Sequence, residues 1–211
     1  MRAGAQDAEE WVDGFLFVAN RPILDFLNTR PVLAEGPTEL LSDVPALVRW
    51  LIASGIVSSA GEKRLVQSWR NAPGAASFLK DLIAFRERLR EAVLCLEGGS
   101  APSEEFMQEV NRGLLERPPA TVLRKHEGRI VRERLFDFER PSDLWTLIFD
   151  EAADLLSEPE IDRIRQCEAC VVHFFDTSKK GSRRWCSMNL CGNKLKVAAY
   201  QRKRREGESE R

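Results

Sequence analysis

The stretch that decides the fold spans residues 167–194 and reads CEACVVHFFDTSKKGSRRWCSMNLCGNK. Its cysteines form two close pairs, Cys167-x2-Cys170 and Cys186-x4-Cys191, with fifteen residues between the pairs. Two pairs about one hairpin apart have the spacing of a structural zinc site, in which four thiolates complete a tetrahedral shell with no open position. We therefore predict one structural Zn²⁺ ligated by all four cysteines.

Three other uses of the four cysteines stay open. Two disulfides would need an oxidising compartment, but residues 1–10 are acidic and lack the apolar segment of a signal peptide. A redox Cys-x-x-Cys lacks a strand-to-helix context before it, and an iron–sulfur cluster is compatible with four cysteines. Since no apolar run approaches the roughly 20 residues of a membrane span, we expect a cytoplasmic protein without a membrane partner. The fifth cysteine, Cys95, is expected to be a packing residue.

The cysteine region is also the most basic part of an otherwise acidic chain. Residues 163–205 hold twelve Lys and Arg against two acidic residues, whereas residues 1–162 hold 19 Lys and Arg against 28 Asp and Glu. The net charge of the whole chain is only −1. A basic module that overlaps a metal site and follows an acidic body indicates nucleic-acid binding, with a solvated charge run as the alternative.

Hydrophobic periodicity predicts a mostly helical domain before the cysteines. Helices are expected over residues 43–55, 59–69, 75–97, 103–115 and 142–156, and a β-hairpin over residues 121–136. The finger is predicted to be treble-clef-like: a zinc knuckle, a hairpin with strands 171–176 and 183–187, and a helix from Cys191 to about Arg205. The fold class is therefore mainly α with a small β component. The expected units are a helical domain over residues 11–158, a zinc finger over 163–205 and a tail over 206–211.

The finger resembles a known family on its motif residues. The runs CEAC (167–170), HFFDTS (173–178), RRWCSM (183–188) and CGNK (191–194) look like the CGNR zinc finger of bacterial proteins. The run PILDFLNT (22–29) is similar to the start of the ABATE domain that precedes this finger. The resemblance implies a stress-related transcription regulator. Lys194 stands where the family has Arg, which keeps the charge but loses the planar, bidentate fork.

Basic and polar residues of the finger form the predicted nucleic-acid surface. We expect the turn to grip phosphates and the last helix to enter or border a groove. The turn residues are Lys179, Lys180, Arg183 and Arg184, and the helix residues are Asn193, Lys194, Lys196, Tyr200, Arg202, Lys203, Arg204 and Arg205. DNA is the expected partner. RNA stays open because Tyr200 could stack on an unpaired base, and so does an adaptor that binds only proteins. Asn193 could instead cap the helix.

The N-terminal motif offers a possible ligand site. Arg21, Asp25, Asn28 and Thr29 place four polar side chains within nine residues, and the last three share a face at helical spacing. They could line the pocket of a small-molecule sensor, or they could form a structural hydrogen-bond cluster.

Two further expectations concern assembly and catalysis. A single small finger reads few bases, so we predict a homodimer. The chain has two histidines, His126 and His173, and no phosphate-binding glycine loop. Because four cysteines already fill the zinc shell, His173 is expected on the surface or in the hairpin. No catalytic set can be assembled, so we expect no enzyme.

Overall fold

The computed structural model describes residues 10–33 and 36–192. The helices are α1 Pro22–Leu27, α2 Val44–Ala53, α3 Ala60–Ser68, α4 Ala75–Glu97, α5 Glu104–Glu116 and α6 Leu144–Leu156. The strands are β1 Trp11–Val12, β2 Phe15–Leu16, β3 Val32–Leu33, β4 Gly36–Pro37, β5 Ala120–His126, β6 Arg129–Leu135, β7 Ile164–Gln166 and β8 His173–Phe175. Over the described ranges, consecutive strands pair into four antiparallel hairpins. The mainly helical class with a small β component is confirmed.

Local capping sets the helix starts. The carboxylate of Asp43 accepts from the amide of Ala46 at 2.7 Å, and Ser59 forms a reciprocal capping box with Glu62 before α3. The last body helix begins two residues later than the start predicted at residue 142. A short 3₁₀ turn, Pro141–Asp143, comes first, and α6 starts at Leu144.

The long helix α4 lies at the centre of the body and packs against α1, α2 and α5. Phe85, which is fully buried, places its ring centroid 5.4 Å from those of Trp145 and Phe149 on α6. Helices α5 and α6 approach closely at Gly113, where a Cβ would lie 2.2 Å from the Phe149 ring. None of the helices in the described ranges has both the length and the apolar character needed to cross a bilayer.

The hairpin β5–β6 matches its sequence prediction. Its two-residue turn, Glu127-Gly128, has φ values of 48° and 80°, as a type I′ turn requires. Most of the hairpin is exposed, and its base is tied to α6 where Arg134 pairs with Asp150 and Asp154.

The hairpin β7–β8 joins the body to the finger because its two faces pack into different cores. Ile164 and Phe175 belong to the large core of the body, whereas Phe174 belongs to a small core that contains the cysteines. This division arises because successive side chains of a strand point to opposite faces, so Phe174 faces the finger and Phe175 faces the body. His173, which the sequence placed on the surface or in the hairpin, lies in β8 and is only 1% exposed.

The strand pairing of the finger differs from the prediction. Strand β8 pairs with β7, which precedes the knuckle, and residues 183–187 form no strand. Two contacts explain this. The amide of Arg183 donates to the carboxylate of Asp176, and the carbonyl of Arg184 accepts from the Glu168 amide in the knuckle. These backbone groups are therefore not available for pairing with a strand. The predicted helix after Cys191 lies outside the described residues.

Candidate metal centre and nucleic-acid interface

The four predicted cysteines converge on one point. The sulfurs of Cys167, Cys170, Cys186 and Cys191 all lie within 4.8 Å of one another. Sγ of Cys186 lies 3.5 Å from that of Cys170 and 3.8 Å from that of Cys191. Four sulfurs about 2.3 Å from one Zn²⁺ stand about 3.8 Å apart in a tetrahedron. The donor set therefore fits a closed zinc site in both chemistry and spacing.

The thiols also interact electrostatically in a way that a cation would relieve. Hydrogen bonds from the thiols of Cys170 and Cys186 lower the pKa of Cys167. The opposite effect falls on Cys186, whose pKa is raised by its hydrogen bonds to Cys167 and Cys170 and by burial. Burial is the largest cause that raises the pKa of Cys191 to about 12. Four thiolates this close together repel one another unless a divalent cation binds them. Because some of the thiols are protonated without the metal, zinc binding releases protons.

The last ligand sits on a wide turn whose glycine packs closely against two side chains. Residues Met188–Gly192 form a single helical turn in which the amide of Gly192 bonds to the carbonyl of Ser187. A Cβ on Gly192 would lie 2.7 Å from the sulfur of Met188 and 3.1 Å from the ring of Trp185. This close approach gives the glycine of the CGNR motif a packing role.

The small core around the cysteines includes residues from the N-terminus of the chain. Leu16 of β2 and the nearby Val18 pack with Phe174 and three of the cysteines. In addition, the hydroxyl of Ser187 donates to the carboxylate of Glu10. The sequence did not predict this contribution, because it joins segments more than 150 residues apart.

A buried carboxylate holds the amides of the basic loop after β8. Asp176 is fully buried and accepts from the amides of Ser178 and Arg183, each at 2.8 Å. Burial opposes its ionisation, but these amides hold the pKa of Asp176 below its ordinary value. The loop 177–182 is therefore closed around a carboxylate.

Two arginines that the sequence did not single out hold the same loop by its carbonyls. Arg163 donates to the carbonyl oxygens of Asp176 and Ser178 at 3.1 and 2.8 Å. Arg165 donates to the carbonyl oxygen of Gly181 at 2.7 Å. With its amides and carbonyls engaged by protein groups, the loop backbone is well supported.

The four basic residues predicted for the turn fall into two pairs. Lys179 and Lys180 are exposed and have no ion pair among the described residues. Arg184 makes a two-point ion pair with Glu168 at 2.7 and 2.5 Å. Arg183 stacks on the ring of Phe174 and donates to the carbonyl of Cys186. The lysines therefore present free charge, whereas the arginines already contact protein.

The other predicted nucleic-acid residues lie outside the described ranges. They are Asn193, Lys194, Lys196, Tyr200, Arg202, Lys203, Arg204 and Arg205. Their assignment stays a prediction.

The candidate ligand residues of the N-terminal motif contact the finger and the body. Asn28 clamps the backbone of His173 by donating to its carbonyl at 2.7 Å and accepting from its amide at 2.9 Å. The guanidinium of Arg21 lies 4.6 Å from the ring centroid of Phe175 and pairs with Glu158. These contacts dock α1 against strand β8.

The other two candidates are held within the body. Asp25 accepts from the amide of Ala19 at 3.0 Å. Thr29 is buried, donates to the carbonyl of Phe26 and accepts from the fully buried Arg86 at 2.8 Å. All four candidates thus have protein partners, of the kind that a structural hydrogen-bond cluster would make. Ligand binding at these residues stays a prediction.

The fold and the cysteine cluster together define a helical protein that carries a zinc finger. Two family models match the chain: the ABATE domain, described as "Putative stress-induced transcription regulator", over residues 20–159, and the CGNR zinc finger over residues 163–204. The first covers more than half of the chain, so the chain belongs to the ABATE family, and a CGNR zinc finger follows. A comparison with curated proteins finds no match. The predicted family and the single structural zinc are confirmed.

Proposed function

We propose that the protein is a zinc-dependent, DNA-binding transcription regulator, in which the finger contacts DNA and the helical domain senses a ligand or holds a dimer. The observation that carries the proposal is the exposed pair Lys179 and Lys180 on a loop held from beneath by Asp176 and Arg163. The description of the family as a transcription regulator supports the same function. The proposal gives the chain a binding role and no catalytic one.

A supported basic loop favours phosphate binding for a physical reason. The backbone of the loop is already ordered before DNA binds, so binding costs less conformational entropy than it would for a flexible loop. Phosphate contacts supply most of the non-specific affinity for DNA but carry no sequence information. Sequence preference in this proposal therefore comes from residues after Gly192, of which Asn193, Lys196 and Lys203 are the candidates.

The first test is selection of duplexes from a random DNA library by zinc-loaded, full-length protein at near-physiological salt. A single enriched motif is the expected result and would establish sequence-specific binding. A palindromic motif would add a dimer with measurable half-site spacing. Binding without enrichment, or no binding, would contradict the proposed sequence-specific regulator for the protein without an effector.

A pair of variants tests the loop. Replacing Lys179 and Lys180 by Ala should weaken binding to all duplexes alike and reduce the salt slope by about 0.9 for each lost phosphate contact. The matched control replaces Arg64 and Lys80 by Ala, because both are exposed on body helices and the same charge is removed. Equal losses in the two double variants would mean that only net charge matters.

The choice between nucleic acids needs its own measurement. Competition between duplex DNA and structured RNA at matched salt should favour the duplex. Preference for RNA would replace the proposal with an RNA-binding role, and binding to neither at low salt would leave a protein-interaction adaptor.

Homodimerisation is part of the proposal and is tested separately. Light scattering on a gel-filtration column should give a protein mass of twice the 24.0 kDa chain mass, either without DNA or after the mass of bound DNA is subtracted. A monomer with and without DNA would count against the dimer but not against DNA binding.

A further inference from the structure

The exposed hairpin β5–β6 is a basic segment of an otherwise acidic body. Residues 120–135 hold five Lys and Arg against two Glu, whereas the rest of residues 1–162 hold 14 Lys and Arg against 26 Asp and Glu. Most residues of both strands are exposed to solvent. The hairpin therefore has the charge that complements a polyanion, in a position that a large partner can reach.

Two cations of the hairpin have no ion pair within the described part of the chain. They are Lys125 and Arg132, and both are exposed. The two other arginines nearby differ from them, because Arg124 pairs with Glu133 and Arg134 pairs with carboxylates of α6. The charges of Lys125 and Arg132 are thus available to a partner.

Exposed apolar side chains lie directly opposite these two cations. The strand register places Leu123 opposite Arg132. Two positions further along, Ile130 lies opposite Lys125. Since side chains alternate along a strand, all four share one face of the hairpin. Leu123 is 72% exposed and Ile130 is 75% exposed, so the partner of this face has to accommodate apolar groups as well as supply negative charge.

The major groove of duplex DNA meets both requirements. It is about 12 Å wide, admits a two-stranded β-ribbon and displays the thymine methyl groups on its floor. Each strand has seven residues, which extend about 23 Å at 3.3 Å per residue and are long enough to cross the groove between its phosphates. The major groove of A-form RNA is too deep and narrow for side chains to read.

The base of the hairpin lies close to the finger. Glu151 of α6 interacts electrostatically with Arg134 of the hairpin and with Arg21. The guanidinium of Arg21 in turn lies 4.6 Å from the ring centroid of Phe175 in β8. The hairpin and the finger are therefore anchored near the same part of α6.

We propose that the hairpin β5–β6 inserts into the major groove of duplex DNA, with Lys125 and Arg132 on phosphates. Leu123 and Ile130 contact thymine methyl groups on the floor of the groove. The proposal rests on the DNA binding proposed for the finger and adds a second contact, made by the helical domain. A preference for thymine at this contact adds to any preference that the residues after Gly192 supply.

The cations are tested by fluorescence anisotropy of a labelled, mixed-sequence duplex titrated with zinc-loaded, full-length protein at near-physiological salt. Lys125→Gln combined with Arg132→Gln should weaken binding at least about tenfold and reduce the salt slope by about 0.9 for each lost phosphate contact. The matched control, Arg64→Gln combined with Lys80→Gln, removes the same charge from exposed positions on body helices. Because salt screens distant charges, the control should change Kd less than about threefold.

The outcomes separate this proposal from the proposed function. Wild-type protein that binds no duplex would contradict both. Wild-type protein that binds, together with equal losses in the two double variants, would overturn the hairpin contact and leave DNA binding by the finger intact. Loss of binding to phosphatidylserine vesicles in the hairpin variant, without loss of DNA binding, would assign this face to anionic lipid and also overturn the proposal.

A second comparison identifies the groove. Uracil differs from thymine by lacking the methyl group, so a duplex with uracil in place of thymine should bind wild-type protein at least about threefold more weakly. Leu123→Ser combined with Ile130→Ser removes the apolar contact without changing the charge, and should abolish this difference. Equal binding of the two duplexes by wild-type protein would overturn the major-groove contact, and this arm needs no variant to fold. A thymine preference that persists in the serine variant would also overturn it.

Discussion

The body and the finger bury very different amounts of apolar side chain. Among the residues that the structure describes, the large core contains 34 buried ones, which include the fully buried aromatic rings Trp69, Phe26 and Phe85. The small core contains seven within residues 10–33 and 36–192, and three of these are the ligands Cys167, Cys186 and Cys191. Since the stabilising free energy of burial scales with apolar area, the body can fold through its own core. The described part of the finger, up to Gly192, needs stabilisation beyond its own apolar core.

The finger obtains that stability from zinc and from the body. Leu16 and Val18 complete the small core although they precede the finger by more than 140 residues, and Asn28 clamps the edge of strand β8. The difference teaches that a short metal module can depend on packing from outside its own sequence. Four predictions test this contrast, in order of decreasing effect.

Loss of the metal should have the largest effect. Cys186→Ser removes one of the four thiolates, and structural zinc binding in zinc-finger peptides is worth on the order of 10–16 kcal/mol. We expect loss of stoichiometric zinc and protease cleavage within residues 163–192, with most of the helical circular dichroism retained. The control is Cys95→Ser on α4, outside the cluster, which should keep its zinc. A Cys186→Ser protein that retains zinc and resists protease would disprove the ligand assignment.

Substitutions at two neighbouring residues should show whether the large and the small core respond independently. Leu16→Ala leaves a cavity beside the cysteines, whereas Phe15→Ala leaves one in the body. Each should cost about 2–5 kcal/mol of unfolding free energy. Only Leu16→Ala should also speed the transfer of zinc to a chelator at constant pH. Equal zinc loss from both variants would mean that the two cores behave as one.

Crowding at the contact of α5 with α6 should affect the body alone. Gly113→Ala places a Cβ 2.2 Å from the Phe149 ring, and overpacking of this kind costs about 1–3 kcal/mol. In Gly61→Ala, the control in α3, the new Cβ meets only Ser59 Oγ at 3.8 Å, so stability should stay the same or rise by up to about 1 kcal/mol. Urea unfolding followed by circular dichroism measures both. Zinc retention should be normal in each, and a fully stable Gly113→Ala protein would contradict the close approach.

The smallest effect concerns pH. Burial, followed by repulsion from Asp154 and Asp150, raises the pKa of Glu151 from 4.5 to about 7. Because the folded pKa lies above the unfolded one, ionisation destabilises the fold, and stability falls as pH rises from about 5 to 8. The full shift corresponds to about 3 kcal/mol, and solvent screening at this partly exposed side chain reduces the expected loss to on the order of 1–2 kcal/mol. Glu151→Gln should flatten this part of the pH profile, whereas the exposed control Glu105→Gln should not. Identical slopes in thermal melts would refute the assignment.

Much of the fold followed from local sequence signals. The start of α2 after Asp43, the start of α3 after Ser59 and the whole span of α4 agree with the expected capping and periodicity. The hairpin over residues 121–136 was predicted as well, and the structure adds that Glu127-Gly128 form its turn. These features depend on residues a few positions apart, so the sequence carries them directly.

The finger was harder to predict beyond its ligands. The expected strand at residues 183–187 does not form, because its backbone groups bond to Asp176 and to the knuckle. The basic turn residues looked equivalent in the sequence, but ion pairing with Glu168 and stacking on Phe174 separate the arginines from the lysines. Neither result has a local signal, since both depend on which segments meet in space.

The sequence by itself determined the zinc ligands, the family and the helices from α2 to α6, because cysteine spacing, capping and hydrophobic period are properties of short segments. Only the tertiary structure decided that Asn28 docks the finger across 145 residues of chain, that Leu16 completes the metal core and that Glu97 meets His173. These contacts join distant segments whose meeting depends on how the helices pack, and packing is a property of the whole chain.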